Sequence, residues 1–255
     1  MAVAAAAVLV SVMATGVGAK QALDRTKPPA VGTTPDLRVP VWTKSALPDG
    51  ADLIVSEKHD LPLVAFSLTF LGGANQFEPA DKTGLASLTA AMMSEGTKSR
   101  DGEALSNALQ LLGTSVSTTV AGESGSMSFV STTDKLAQTL DIVADMLLNS
   151  TFPADALERL RAQRLVALTQ ARAQPGAIAG RVFPKVLYGN VHPYGRVATE
   201  ASLKAITRDD VVAFRDQYFQ PGRALVTVVG DVTAAGVKPV IEKALAAWSA
   251  FTHQC

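Results

Sequence analysis

Cysteine is almost missing from this chain: among 255 residues the only one is Cys255, the last. A single thiol builds neither a disulfide framework nor a zinc ribbon, and nothing near Cys255 would depress its pKa for nucleophilic work. Histidine is scarce as well, with only His59, His192 and His253. Aromatic residues make up 5% of the chain, which argues against stacking platforms for bases. Charge of either sign is not in excess. The formal net charge is zero and the pI is near 6.8, so the electrostatic footprint of a nucleic-acid binder is absent. The basic residues form no patch of the kind that reads as a membrane-surface or heparin site. What remains is an ordinary globular composition, 47% hydrophobic and 18% charged, sufficient for one large domain or two small ones.

Residues 1–19 carry no charge, and Ala4 to Val12 are continuously small or apolar. Val17 and Ala19 supply the small residues of a cleavage site, so the segment reads as an export signal and the chain as periplasmic or secreted. A basic start is lacking, since the first basic residue is Lys20. A retained membrane anchor is the alternative, but a stretch rich in Ala and Gly and interrupted by Ser and Thr is poor for stable spanning. Residues 20–41 hold Pro28, Pro29, Pro35 and Pro40 with little apolar pattern and read as an extended tether. The folded domain is expected over 42–251, with a short tail at 252–255.

Within that domain the apolar periods alternate between strand and helix types. Val64, Phe66, Leu68 and Phe70 alternate with Ser67 and Thr69, the mark of a half-buried strand closed by Gly72 and Gly73. Short strands are also expected at 53–56, 115–120, 126–131 and 225–229. Leu85, Leu88 and Met92 have helical spacing over 83–94. Further helices are expected at 103–112, 134–148, 154–173, 177–187, 211–218 and 237–248, with Thr207 and Asp210 forming a capping box. Strands and helices do not alternate regularly, which predicts an α+β fold with an antiparallel sheet and helices packed on one face.

Several of these pieces, in order, resemble the N-terminal domain of insulinase/pitrilysin-type zinc peptidases, the inverzincins. The pieces are Leu71-Gly72-Gly73-Ala74-Asn75, then Thr83-Gly84-Leu85-Ala86, Glu95-Gly96-Thr97 and Leu109-Gln110-Leu111-Leu112-Gly113. Phe152-Pro153, Glu158-Arg159, His192-Pro193-Tyr194-Gly195, Ile206-Thr207 and Val228-Val229-Gly230-Asp231 follow. No single piece is specific; the ordered set from Asp52 to Trp248 is. It looks most like the bacterial relatives of mitochondrial processing peptidase.

Active members of that family carry H-x-x-E-H on the helix that here begins near Leu85. Imidazoles at i and i+4 reach one metal ion from one helix face, and the Glu beside them takes a proton from the zinc-bound water. The resemblance puts the two histidine positions at Ser87 and Ala91, the general base at Ala90 and a third ligand at Ala167. None of these is a ligand or a base. The resemblance therefore implies a non-catalytic homologue with no cofactor of its own, zinc being expected only in a partner subunit. A Ser-His-Asp triad on Ser87 would need His59 or His192 within hydrogen-bond range, and no G-x-S-x-G elbow surrounds Ser87.

In the family, extended peptides add to the edge strand beside the active site. The matching residues here are Ser115, Val116, Ser117 and Thr118. Main-chain pairing survives the loss of catalytic side chains; the plain alternative is an edge strand kept soluble by Ser and Thr. Family members usually join this domain to a second, similar one, which the present sequence is expected to lack. Three readings follow. One is a supporting or peptide-binding subunit for an H-x-x-E-H-bearing homologue. Another is a zinc metalloendopeptidase with non-standard ligands. The third is a purely structural subunit resembling respiratory core proteins.

Overall fold

A computed structural model of the protein describes residues 32 and 39–248. The expected export signal, most of the tether and the C-terminal tail lie outside the described residues. Among the described residues of the folded unit, from Pro40 onward, there are six strands: β1 (Thr43–Ala46), β2 (Asp52–Glu57), β3 (Leu63–Leu71), β4 (Ser117–Val120), β5 (Ser124–Thr132) and β6 (Ala224–Gly230). Their order in the sheet is β1-β2-β6-β3-β5-β4. The helices are α1 (Ala74–Phe77), α2 (Leu85–Met92), α3 (Gly102–Leu111), α4 (Leu136–Asn149), α5 (Ala154–Ala171), α6 (Pro175–Tyr188), α7 (Glu200–Ala205), α8 (Arg208–Tyr218) and α9 (Ala234–Ala244).

The α+β class is as expected, with one correction to the sheet. β2 and β6 run parallel, Leu53 opposite Val226 and Val55 opposite Val228, while the other pairs are antiparallel. The long excursion between β2 and β6 returns the chain to the sheet centre in the same direction. The alternation in β3 does what it predicts. Val64, Phe66, Leu68 and Phe70 are buried, joined by Leu53 and Val55 of β2, Met127 and Phe129 of β5 and Val226 and Val228 of β6. This face meets the helices. The opposite face carries Ser67, Thr69, Ser126, Ser128 and Thr227 and is open, as a Ser/Thr-rich surface requires when no helix covers it.

An aromatic cluster ties the sheet centre to α8. Phe70 packs against Tyr218, Phe219 and Trp248, with ring centroids 4.9–6.0 Å apart. The Tyr218 hydroxyl donates to Gly72 O at 2.7 Å and Phe70 O at 3.3 Å, and the indole of Trp248 donates to Phe219 O at 3.2 Å. Each buried polar tip thus has a partner, the condition for putting Tyr and Trp in a core. Gly73 is needed because α1 docks on the β4–β5 hairpin: Ala74 N–H donates to Ala121 O at 2.7 Å, and a Cβ on Gly73 would lie 2.2 Å from that oxygen.

Most element boundaries fall within a few residues of expectation, and the Thr207/Asp210 capping box is formed. Three short elements had no readable pattern: β1, α1 and α7, each four to six residues long. Such lengths hold too few positions for a period to show. Pro175 ends one helix and also opens the next as its first residue, where a missing N–H costs nothing. The last helix begins earlier and ends earlier than its apolar stripe suggests, at Ala244. Trp248 reaches the core from beyond it. Among the described residues, no helix is long and apolar enough to cross a membrane.

Candidate functional site

Helix α2 follows Gly84, whose φ of +110° lies in the region glycine tolerates. Its first turn is held by Glu78, which accepts from Gly84 N–H and Ala86 N–H at 2.8 Å each. Burial pushes the Glu78 carboxyl above the usual range, and these two bonds together with the nearby Arg196 oppose that rise. The carboxylate therefore serves the helix start, where its charge complements the dipole.

One turn in, the positions singled out by sequence sit as follows. Ser87 and Ala91 are half-buried and Ala90 is buried. The Ser87 hydroxyl donates to Gly84 O at 3.2 Å. It also accepts from Arg164 Nη1 at 3.3 Å, and Arg164 Nη2 donates to Ser87 O at 3.2 Å. Arg164 comes from α5, which packs against α2. Ala167, one turn further along α5, is exposed beside the exposed Val166. The site thus brings Ser87 together with a guanidinium, with Ala91 one turn further along α2. Among the described residues no group of three His, Cys, Asp or Glu side chains is placed to hold a metal ion.

Neither described histidine joins Ser87. His59 lies on the turn after β2, its Nδ1 2.7 Å from Asp231 Oδ1. That contact raises its pKa, with Glu57 adding to the effect. His192 Nδ1 accepts from Tyr194 N–H at 3.2 Å, and its ring stacks on Tyr188. Both are local fastenings of loops. His253 lies outside the described residues.

The edge strand is where the sequence places it, but shorter. β4 starts at Ser117, so Ser115 and Val116 lead into it without being part of the ladder. Among the described residues β4 ends the sheet and pairs only with β5. Ala121 N–H donates to Ser124 O at 2.9 Å at the foot of the hairpin. Strict antiparallel alternation then turns the backbone groups of Ser117 and Thr119 toward β5 and those of Thr118 and Val120 outward. Side chains alternate with the same period, across the sheet plane. Ser117 and Thr119 face the open side of the sheet, whereas Thr118 and Val120 face the helices. The Thr118 hydroxyl is buried there without a hydrogen-bond partner among the described residues. On the open side a groove of about 740 Å³ is lined by Ser115 and Ser117 together with Ser67, Gln110, Ser128 and Thr227, among others.

Arg164 is the residue that sequence reasoning missed. Its signal was present: it stands one turn before Ala167 on the same helix, so it shares that residue's face. A search restricted to metal ligands and nucleophiles passes over an arginine.

Over residues 53–187 the chain matches the sequence profile described as Insulinase (Peptidase family M16), and over residues 205–253 the one described as Peptidase M16 inactive domain. It is 22% identical over 195 residues to the protein named Uncharacterized zinc protease YmxG of Bacillus subtilis, covering 75% of this chain and 47% of that protein. It is 25% identical over 182 residues to Non-peptidase homolog YmxG of Helicobacter pylori, covering 71% of this chain and 42% of that protein. The chain therefore spans less than half the length of these two curated relatives. Among solved structures it is similar to a peptidase M16 inactive domain from Pseudomonas fluorescens, with a TM-score of 0.76 and 28% identity over 82% of this chain and 51% of that one.

Proposed function

The chain belongs to the insulinase family, peptidase family M16, and on that footing we propose that it is a non-catalytic member that binds extended peptides along β4 in support of a zinc-bearing homologue. One observation carries this reading. At the turn of α2 where active members hold zinc, Ser87 bonds the Arg164 guanidinium, and Ala90 and Ala91 offer only methyl groups. A hydroxyl already engaged with Gly84 and Arg164, two methyl groups and a fixed positive charge do not fit a dication. A bound metal there would gain no anionic ligand and would meet repulsion from Arg164.

The edge of β4 is unaffected by that loss. A peptide strand aligned beside it would bond to the outward N–H and C=O of Thr118, each such bond contributing on the order of 1 kcal/mol. Its alternate side chains would point to the Ser-lined groove on one side and toward α2 and α5 on the other. The likeness to a protein named as a non-peptidase homologue supports the non-catalytic part of the proposal. A partner would also cover α6, whose Val182, Phe183, Val186 and Leu187 are all at least half exposed. A contiguous apolar patch of this kind is unusual on a free monomer.

The test is affinity purification of the tagged chain from its native cell envelope, followed by a chelator-sensitive peptidase assay of the eluate. The proposal expects an H-x-x-E-H-bearing homologue to co-purify with the activity. A chain that elutes alone, or that cleaves peptides by itself in a zinc-dependent way, sinks it.

A further inference from the structure

We infer that Arg164 is a carboxylate-binding side chain, placed to receive an acidic group of a peptide aligned on β4; this rests on the peptide-binding reading above. The first ground is its charge balance. The arginines before it on α5 are matched with acids: Arg159 pairs with Glu95, and Arg161 with Glu158 while also bonding Leu203 O and Ile206 O. Arg164 is half-buried and makes no ion pair among the described residues. One turn either side of it on α5 stand Leu160, Arg161, Ala167 and Leu168, none of them an acid that could neutralise it.

The second ground is orientation. Two bonds to Ser87 hold the guanidinium plane from one side, using part of its five-donor fork and leaving the rest for an acceptor. A guanidinium fixed in advance loses little freedom when it takes a planar carboxylate. The third ground is position. α2 packs against β4 and against α5, so the cation and the sheet edge flank the same helix. The buried, partnerless hydroxyl of Thr118 faces that side too. A strand added to β4 sends every second side chain to this side of the sheet. A guanidinium held beside Ser87 is suited to an anion, supplied by a Glu or Asp side chain or by a peptide C-terminus.

The experiment uses the full chain and fluorescence anisotropy with short, labelled, Val/Thr-rich peptides in matched pairs. One pair differs by Glu against Gln at a single internal position. A second pair differs by a free against an amidated C-terminus. A third set carries N-methyl groups on alternate amides, which cannot pair with the strand edge. We expect one acidic twin to bind roughly ten- to a hundredfold more tightly than its neutral twin. The preference should vanish in Arg164→Gln and return in part in Arg164→Lys, and the pair that shows it identifies the source of the carboxylate. Acidic and neutral twins that bind alike, yet are weakened by N-methylation, leave the edge reading standing and overturn the role of Arg164. So does an acidic preference that persists in Arg164→Gln. If no peptide binds the wild-type chain, both readings fall.

Discussion

Replacing Tyr218 by Phe removes one oxygen from the centre of the fold and leaves every ring contact in place. That oxygen donates to Gly72 O and Phe70 O and accepts from Gly125 N–H. Phe70 and Gly125 face each other across β3 and β5, so the hydroxyl closes the end of that ladder. Tyr218 is fully buried, so groups left behind have no water to turn to. The expected cost is about 1–3 kcal/mol, a Tm drop of about 2–4 °C for each kcal/mol lost in a domain of this size. Urea titration followed by fluorescence reads it directly. Trp248 is 1% exposed beside Phe219, whereas Trp42 is 56% exposed and should change little on unfolding. A cycle with Gly125→Ala sharpens the argument. A Cβ on Gly125 would lie 2.6 Å from the Tyr218 hydroxyl and 2.9 Å from Thr119 O. The double variant should therefore lose less than the sum of the singles, because the phenyl ring relieves the first clash. Alkaline pH supplies a further check. Burial pushes the Tyr218 pKa up to about 12, partly opposed by the Gly125 bond and by Arg223. The native state thus keeps a proton that the unfolded chain releases near pH 10. The difference in stability between wild type and Tyr218→Phe should be constant below pH 10 and shrink as pH rises toward 12. A variant within about 0.5 kcal/mol of wild type, with additive double mutants, would refute the reasoning.

Asp145 gathers the hydroxyls of Thr97 and Ser99, the amide of Asn149 and the guanidinium of Arg100. Burial alone would raise its pKa, but these partners outweigh it and hold the carboxyl below its ordinary value. The stability it contributes is present above the unfolded pKa and is lost as pH falls through the folded one. Asp145→Asn should cost about 1–3 kcal/mol at pH 7 and flatten the acid limb of the stability curve, measured by urea melts from pH 6 to 2. Gly73→Ala should lower stability by about 2 kcal/mol or more, since the new methyl meets Ala121 O and α1 must lift from the hairpin; thermal melting by circular dichroism reads this. Installing Ser87→His, Ala90→Glu, Ala91→His and Ala167→Glu together should give weak zinc binding while Arg164 remains. Affinity should rise at least about tenfold when Arg164→Leu is added, because a fixed cation beside the metal is removed. Competition with a chromophoric chelator measures both, and equal affinities would contradict the placement of Arg164.

The strands and the longer helices were legible in the residues because burial imposes a period. The alternation of Val64, Phe66, Leu68 and Phe70, and the stripe of Leu136, Leu140, Val143 and Leu147, each name an inner face without reference to anything else in the chain. Local chemistry was legible for the same reason: the Thr207/Asp210 box and the Gly72-Gly73 stop act within a few residues. The assignment of ligand positions to Ser87, Ala90, Ala91 and Ala167 is what the family resemblance implies, and it too rests on local spacing alone. Pairing across the chain could not be. That β2 lies parallel to β6, that Tyr218 closes the end of β3, and that α1 needs a bare glycine under Ala121 are long-range outcomes of how the helices cover one face of the sheet. Arg164 makes the point most sharply. As a residue on an amphipathic helix it is one cation among several, and 77 positions separate it from Ser87. Its unpaired charge became a site only when packing of α5 on α2 set it against Ser87, since charge balance is a property of neighbours in space.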